Sequence, residues 1–178
     1  MTMAYQLEEA GTRLSRTTIE RRPLGPLEVR LDLKFCGICH SDLVAASDKL
    51  GGGIFPMVPG HEMVGTVSEM GAEVQGVSVG DTVGVGCIAD SCRSCDSCDT
   101  GDEHYCEIGF TLSFNSKDRE GHVNYGGYAS DYVVDYDYLV PIPADADLAR
   151  MAPLLCGGIT VYTPLKRFNV GPGTTMCV

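Results

Sequence analysis

The sequence predicts a mainly β, antiparallel and barrel-like domain that carries a metal-binding lobe and is followed by helices. Three observations predict it. Short alternating segments are separated by glycine-rich turns, cysteines cluster at metal-ligand spacing, and helical spacing of apolar residues begins only near the end of the chain. At 178 residues, the chain is long enough for one packed domain and a fragment of a second.

The strand segments alternate apolar and polar residues with a period of two, which is typical of strands with one buried face. They cover residues 27–35, 63–70, 81–86, 128–135 and 138–143. The 22 glycines supply turns between them, as in the stretch GAEVQGVSVG, and helical periodicity is almost absent from this part of the chain. Short strands joined by glycine turns predict the antiparallel, barrel-like architecture.

The pattern changes after residue 143. Residues 144–168 have apolar side chains at helical spacing, and they predict one or two helices. The stretch NVGPGTTMCV that follows is a glycine turn and then the opening of an apolar strand. A strand directly after a helix, at the end of the sequence, indicates the first element of an α/β domain whose remainder is missing.

Composition and charge narrow the classes of function. The formal net charge is −11 and the chain has no basic block, which argues against nucleic acid or an anionic membrane as the main partner. The first residues have no apolar core of the kind that a signal peptide needs, and no window approaches the ~18 continuous apolar residues of a membrane span. We therefore expect a cytoplasmic protein whose thiols stay reduced and free to bind metal.

Five cysteines fall between Cys87 and Cys106, and four of them follow the spacing C-x2-C-x2-C-x7-C: Cys92, Cys95, Cys98 and Cys106. A structural zinc site takes four tetrahedral ligands, and a C-x2-C pair presents two sulfurs from one tight turn. Surface thiols or disulfides are the alternative, but an odd total of nine cysteines fits a disulfide framework poorly. The spacing therefore predicts a structural zinc site that stabilises a small lobe. Cys87, at the end of an apolar strand, is expected to be a buried thiol.

Three further stretches carry polar residues that a plain β domain does not need: CGICHSD (36–42), PGHEMVG (59–65) and APLLCGGITVY (152–162). Each stretch alone is weak evidence, because a single His61 is more often a satisfied histidine and Cys156 a buried thiol. Together with the cysteine lobe, and in this order, they resemble the zinc-dependent medium-chain alcohol dehydrogenases, in particular the cinnamyl-alcohol-dehydrogenase-like branch. The resemblance extends from about residue 24 to the end of the sequence.

The resemblance implies a GroES-like, partly open barrel in residues 1–150, with the structural zinc lobe at about 87–112. Residues 151–178 are then a connecting helix and the first strand of a dinucleotide-binding Rossmann domain. Relatives continue into a G-x-G-x-x-G turn that binds pyrophosphate, and that turn is absent from the 178 residues. We therefore expect a truncated catalytic part that is inactive alone. The resemblance allows a homodimer of the complete enzyme.

In the resembled family, one histidine and two cysteines hold the catalytic zinc, and the resemblance places these roles on Cys39, His61 and Cys156. Glu62 corresponds to a carboxylate behind the metal that can approach it as an exchange ligand. Asp42 matches the carboxylate that orients the histidine ligand. Two thiolates and an imidazole leave zinc acidic enough to lower the pKa of an alcohol, from which hydride passes to a nicotinamide.

The resemblance also assigns residues to substrate and cofactor. Ser41 matches a hydroxyl that hydrogen-bonds the substrate oxygen, His40 a basic residue that contacts the cofactor pyrophosphate, and Thr160 a residue near the nicotinamide. The alternatives are a turn residue, a surface imidazole and a helix residue, respectively. Val44 stands where many relatives have a histidine that completes a proton path to solvent. We therefore expect slower proton release near neutral pH.

The function expected from this resemblance is reversible hydride transfer between a primary alcohol, aromatic or medium aliphatic, and its aldehyde. The expected cofactors are two zinc ions per chain and NAD(P), with NADP favoured, in the complete enzyme. The alternative is a non-catalytic zinc-binding interaction module of the same fold, which would hold a single inert zinc. A third interpretation keeps the enzyme class and exchanges the substrate for a polyol or formaldehyde.

Overall fold

The computed structural model describes residues 1–177, and most of its strands pair as antiparallel β-sheet. The strands are β1 (Thr2–Gln6), β2 (Ser15–Ile19), β3 (Glu28–Cys36), β4 (Met63–Met70), β5 (Thr82–Val85), β6 (Ile88–Asp90), β7 (Thr111–Leu112), β8 (Ser116–Lys117), β9 (Val123–Asn124), β10 (Asp131–Asp135) and β11 (Val140–Pro141). The α-helices are α1 (His40–Ser47), α2 (Asp96–Asp99), α3 (Leu148–Met151) and α4 (Gly157–Arg167). Short 3₁₀ turns cover Glu103–Tyr105, Tyr136–Tyr138 and Ala152–Leu155.

A five-stranded sheet in the order β10-β3-β4-β5-β11 forms the body of the fold, and all of its neighbouring strands are antiparallel. The alternation along β3 gives the strand one buried face. Val29 and Leu31 are buried there, whereas Arg30 between them points to the other face. The core cluster comprises Val29, Leu31, Met63, Val67, Val83, Val85, Ala89, Tyr132 and Val134. Burial of each large apolar side chain contributes roughly 1.5–3 kcal/mol. Within the described residues the sheet stays open, so the predicted mainly β, partly open barrel is confirmed.

The five predicted strand segments overlap β3, β4, β5, β10 and β11. The smaller pairs, β1-β2, β6-β7 and β8-β9, were not predicted from the sequence. The β6-β7 and β8-β9 pairs have strands of two or three residues, too short to show an alternation. The β1-β2 pair joins the body of the fold through a bridge between Ala4 and Ala129.

Helix α1 was not predicted from the periodicity of the sequence. Its sequence, HSDLVAAS, has no apolar stripe, and Asp42 is its only buried residue. The helix begins instead from a capping box in which the Asp42 side chain accepts a hydrogen bond from the backbone N–H of Cys39. A polar residue three positions after a helix start was therefore the available signal.

The helices predicted after residue 143 are confirmed as α3 and α4. Residues 171–177, which include most of the predicted first strand of a second domain, form no strand, and Val178 lies outside the described residues. A strand needs a neighbouring strand to satisfy its backbone groups, and none is adjacent to this segment among residues 1–177.

None of the helices in residues 1–177 combines the length and the apolar character that crossing a membrane requires.

Candidate metal centre and substrate cavity

Three chain junctions converge on one cluster of side chains. Cys39 directly precedes α1, His61 and Glu62 directly precede β4, and Cys156 directly precedes α4. Each of the four side chains offers one ligand atom, and these atoms all lie within 4.8 Å of one another. The sulfurs of Cys39 and Cys156, 117 positions apart in the chain, are 3.8 Å apart. The structure thus brings together the four side chains that the resemblance placed at or behind a catalytic zinc.

The imidazole of His61 is the clearest sign that this cluster could hold a metal ion. Its Nδ1 lies 3.0 Å from Asp42 Oδ1, and an ionised carboxylate there places the ring proton on Nδ1. Its Nε2 is buried and has no hydrogen-bond partner among the described residues. A buried, unpaired nitrogen costs free energy unless something binds it. Two thiols and one free imidazole nitrogen are a donor set that fits zinc.

Asp42 is 2% exposed, and four donors surround its carboxylate. Oδ1 accepts from Gly60 N at 3.0 Å and faces His61 Nδ1, while Oδ2 accepts from Cys39 N at 2.9 Å and from Tyr128 Oη at 3.1 Å. Burial tends to raise the pKa of Asp42, but the hydrogen bond with His61 and the backbone donors outweigh it and lower the pKa. The carboxylate therefore remains ionised and fully hydrogen-bonded.

Glu62 joins β4 to the chain that carries Cys156. Its Oε1 accepts a hydrogen bond from Gly157 N at 3.2 Å, and its Oε2 is buried without a partner among the described residues. A Cβ at Gly37 would overlap Oε2, which explains the glycine at that position. The unpaired oxygen within the cluster fits the exchange-ligand role that the resemblance implies.

The two thiols of the cluster differ in acidity. Burial tends to raise the pKa of Cys39, but hydrogen bonds from the backbone and hydroxyl of Ser41, together with the neighbouring His61 and Cys156, lower it below the ordinary value. Burial raises the pKa of Cys156, and the neighbouring thiols Cys87 and Cys39 raise it further. Burial tends to lower the pKa of His61, but Asp42 outweighs it and raises the pKa. Of the two thiols, Cys39 is therefore the more acidic.

A cavity of about 470 Å³ adjoins the cluster at His61. Its wall comprises His40, Ser41, Val44, Ala45, Asp48, Leu50, Gly51, His61, Cys87, Leu112, Phe114 and Asn115. Phe114 stacks on His61 with ring centroids 5.5 Å apart and an interplanar angle of 15°. Ser41 Oγ lies 3.8 Å from Cys39 Sγ, so a hydroxyl stands at the junction of the cavity and the cluster.

The cysteine lobe forms a second cluster. The sulfurs of Cys92, Cys95, Cys98 and Cys106 lie within 4.8 Å of one another. Backbone N–H groups point at two of them, since Cys92 N is 3.4 Å from Cys106 Sγ and Glu107 N is 3.5 Å from Cys95 Sγ. The hydrogen bond from the Ser94 backbone, outweighing slight burial, lowers the pKa of Cys92 to about 6. Four convergent sulfurs with N–H donors are the arrangement that a closed tetrahedral zinc site requires.

A known protein family matches most of this chain. Residues 25–144 match the family described as the alcohol dehydrogenase GroES-like domain. The chain belongs to that family.

Three relatives show how far the likeness extends. The chain is 47% identical over 177 residues to the probable formaldehyde dehydrogenase AdhA of Bacillus subtilis, covering 99% of this chain and 51% of the relative. It is 47% identical over 176 residues to NADP-dependent alcohol dehydrogenase C 1 of Mycolicibacterium smegmatis, covering 98% and 50%. The solved structure of cinnamyl alcohol dehydrogenase SbCAD4 from Sorghum bicolor matches with a TM-score of 0.93 and 39% identity, covering 97% of this chain and 50% of that one.

These matches confirm the resemblance to alcohol dehydrogenases, including cinnamyl alcohol dehydrogenases. The chain spans about half the length of the curated relatives it matches.

The two residues that the resemblance assigned to the cofactor are not members of the cluster of Cys39, His61, Glu62 and Cys156. In this member of the alcohol dehydrogenase GroES-like domain family, His40 is exposed and lines the cavity at the start of α1. Thr160 is exposed on α4 and does not line the cavity. The structure therefore keeps both accessible, at the cavity edge and on the helix that follows Cys156.

Three residues near these sites were missed or misjudged from the sequence. Cys87 was expected to be a buried thiol but is half-buried and lines the cavity, because β5 ends at Val85 and the chain then turns into the cavity wall. Tyr128 reaches Asp42, and Arg93 of the lobe bonds to Asp90 and Asp135. The contacts of Tyr128 with Asp42 and of Arg93 with Asp135 join distant segments, for which the sequence offers no spacing signal.

Proposed function

We propose that the chain is the zinc-holding catalytic part of an NAD(P)-dependent alcohol dehydrogenase that interconverts primary alcohols and aldehydes. The observation that carries the proposal is the buried, unpartnered Nε2 of His61. It belongs to a cluster with two thiols at the base of a mainly apolar cavity. We further propose residues 1–150 as the catalytic domain, with the zinc lobe at about 87–112, and residues 151–178 as the connection to a cofactor domain.

In this proposal, Cys39, His61 and Cys156 hold the catalytic zinc, with Glu62 beside them as an exchange ligand. Bound zinc would act as a Lewis acid that lowers the pKa of the substrate alcohol. The chain's own contribution is to hold the donors in place. Asp42 keeps the His61 proton on Nδ1 and thereby leaves Nε2 free to bind.

Ser41 is proposed to relay the substrate hydroxyl proton, because its Oγ can accept that proton while its own proton passes to the cofactor ribose or to water. It stands on the first turn of α1, and its Oγ is 3.8 Å from Cys39 Sγ at the cavity wall. Val44 lines the same cavity one helical turn later and cannot carry the proton onward. A Val44→His variant of the longer protein should therefore raise the turnover rate near neutral pH. A pH–rate profile identical to that of the parent would contradict this route.

The cavity lining supports an aromatic or medium aliphatic substrate. Leu50, Leu112 and Phe114 contribute apolar surface, and a volume of about 470 Å³ exceeds what formaldehyde would fill. One relative is named a probable formaldehyde dehydrogenase, so formaldehyde is the comparison substrate for any activity measurement. We expect kcat/KM to favour the larger aldehyde, because it buries more apolar surface in this cavity.

The nicotinamide cofactor is proposed to be NADP, in keeping with the relative named as NADP-dependent. His40 at the cavity edge is proposed to contact its pyrophosphate, and Thr160 its nicotinamide. The G-x-G-x-x-G turn that binds pyrophosphate does not occur in residues 1–178, so these residues alone should show no steady-state turnover. A homodimer of the complete enzyme and a cytoplasmic location belong to the same proposal.

Metal stoichiometry tests the proposal directly. Elemental analysis of the purified chain should find two zinc ions, and the Cys156→Ser variant should retain only the lobe zinc. Cys177→Ser is the matched control, because Cys177 is exposed and belongs to neither cluster. With cobalt in place of zinc, imidazole should shift the d–d absorption of the parent but not that of Cys156→Ser.

Two results would overturn the proposal. A single zinc that does not respond to imidazole favours the non-catalytic zinc-binding module. Measurable alcohol turnover by residues 1–178 with NAD(P) would contradict the proposal that catalysis requires a separate cofactor domain.

A further inference from the structure

The carboxylate of Asp42 has a donor on every acceptor position. A carboxylate offers about four lone-pair sites, and here two donors face each oxygen. Two of the donors are backbone N–H groups, and a third is the His61 ring. The fourth is Tyr128 Oη, at 3.1 Å from Oδ2.

The backbone around Tyr128 is fitted to the segment that precedes His61. Tyr128 N donates to Pro59 O at 2.8 Å, and Gly127 N donates to Gly60 O at 2.9 Å. A Cβ at Gly126 would lie 2.5 Å from the carbonyl oxygens of Pro59 and Gly60, so only glycine permits this approach. These hydrogen bonds fix the backbone position of Tyr128 relative to the segment that carries His61.

The hydroxyl of Tyr128 is a donor in this arrangement. Burial raises the pKa of Tyr128, and the negative charge of Asp42 raises it further, so the phenol keeps its proton. Asp42 is ionised and can only accept. The hydrogen bond therefore runs from Tyr128 to Asp42, and it joins β10's entry loop to the carboxylate that orients His61.

We propose that Tyr128 is a positioning residue of the catalytic zinc centre, whose hydroxyl fixes the rotamer of Asp42 and thereby orients His61 toward the metal. This inference rests on the proposed function, because it requires a metal at Cys39, His61 and Cys156. Partners of a metal ligand typically change metal affinity by about 10- to 100-fold when they are removed. Tyr128 acts one hydrogen bond farther out, so its removal should weaken zinc binding by about 3- to 10-fold.

The test is the Tyr128→Phe variant of the whole chain, which keeps the ring and removes only the hydroxyl. Zinc affinity is measured by competition with a chelator, and the ligand field is measured from the d–d bands of the cobalt-substituted chain. Tyr132→Phe is the matched control. Tyr132 is fully buried, and its hydroxyl donates to Ser113 O at 2.9 Å, but it does not contact Asp42. The four-sulfur lobe site provides an internal reference in the same samples.

The inference predicts that Tyr128→Phe weakens binding of one zinc and shifts the corresponding cobalt bands, while Tyr132→Phe changes neither. Unchanged affinity and bands in Tyr128→Phe, or equal changes in both variants, overturn it, because a structural role alone would affect the two tyrosines alike. If the parent chain binds only the lobe zinc, the proposed function fails as well. If the parent binds two zinc ions and Tyr128→Phe is unaffected, only the role of Tyr128 fails.

Discussion

The two clusters that can hold zinc differ in how the chain assembles them. The lobe takes its four sulfurs from residues 92–106, and Cys106 is the only buried residue of that segment. The cavity cluster takes its donors from three element junctions, and its outermost members, Cys39 and Cys156, lie 117 positions apart. A local cluster needs metal to hold its segment together, whereas a dispersed cluster needs the fold to exist before metal can bind.

The clusters also differ in what surrounds their donors. Backbone N–H groups face two of the lobe sulfurs, and the four sulfurs would fill the tetrahedral positions of a zinc ion and leave none for a substrate. The cavity cluster has carboxylates beside it, one buried and saturated at Asp42 and one with an unpaired oxygen at Glu62. The same metal is therefore expected to be inert in the first setting and reactive in the second.

The largest expected effect is the loss of the lobe when its metal is lost. Cys98→Ser removes one of four sulfurs, and a structural zinc contributes roughly 10 kcal/mol or more of binding free energy. Because residues 92–106 bury almost no apolar surface, they should unfold locally while the main sheet stays folded. Hydrogen exchange should show full loss of protection in the lobe and unchanged protection in β3 and β4.

Cys156→Ser is the counterpart in the other cluster. It should remove one zinc without any loss of hydrogen-exchange protection in the lobe or the main sheet, because the fold positions the cavity cluster. If Cys98→Ser kept the lobe protected, or if Cys156→Ser unfolded the sheet, the contrast between the two clusters would be wrong.

Cys36 belongs to neither cluster, and its reactivity tests whether a thiol close to the cavity cluster behaves differently from the cluster members. Cys36 lies three residues before Cys39, and burial raises its pKa to about 12. At pH 8 only about one side chain in 10⁴ should be thiolate, against about one in ten for an ordinary thiol of pKa 9.0. Since a raised pKa favours the protonated form at lower pH, alkylation by iodoacetamide should be slow at pH 8 and accelerate as the pH rises toward 12.

The exposed Cys177 is the control for this measurement. Mass spectrometry of the folded, zinc-loaded chain should find Cys177 alkylated long before Cys36. Equal alkylation rates at pH 8 would show that closeness to the metal cluster activates Cys36 and that it belongs functionally to the cluster.

The next effect in size tests how strongly the dispersed cluster depends on its supporting carboxylate. Asp42→Asn replaces an acceptor-only group with an amide, whose NH₂ must face donors such as Gly60 N or Cys39 N. We expect the affinity of the cavity zinc to fall by about 10- to 100-fold, with the lobe zinc retained. Chelator competition measures both affinities in one titration.

Asp118→Asn is the matched control for that substitution. Asp118 also accepts backbone N–H groups, from Glu120 at 2.9 Å and His122 at 2.8 Å, but it belongs to neither cluster. Its zinc affinities should equal those of the parent. An Asp42→Asn variant with parental affinity would show that Asp42 does not orient His61.

The difference between the clusters also explains what could be predicted from the sequence. Spacing alone predicted the lobe, because its ligands are neighbours in the chain, and alternation predicted the main sheet. Cys39, His61 and Cys156 were assigned only through a family resemblance, since no spacing rule connects positions that the fold brings together. Helix α1 has no apolar stripe, and the contacts of Tyr128 and Arg93 cross between segments, so periodicity contains no sign of them.

The smallest expected effect concerns how the lobe is attached. Arg93 lies between two lobe cysteines in a left-handed conformation with φ 55°, and its guanidinium is 2.8 Å from both Asp90 Oδ1 and Asp135 Oδ2. Arg93→Lys keeps the charge and a comparable backbone strain but loses the planar fork that reaches both carboxylates. We expect a loss of about 1 kcal/mol in the free energy of unfolding, measured with urea, because the pairs are partly exposed.

Arg150→Lys provides the baseline, because Arg150 pairs with Asp147 on an exposed turn where such pairs contribute about 0–0.5 kcal/mol. If attachment and metal binding are separate properties of the lobe, Arg93→Lys should lower overall stability and leave the affinity of the four-sulfur site unchanged. A drop in that affinity would mean that the lobe, like the cavity cluster, depends on the fold to arrange its ligands. The contrast between a local and a dispersed site would then be one of degree.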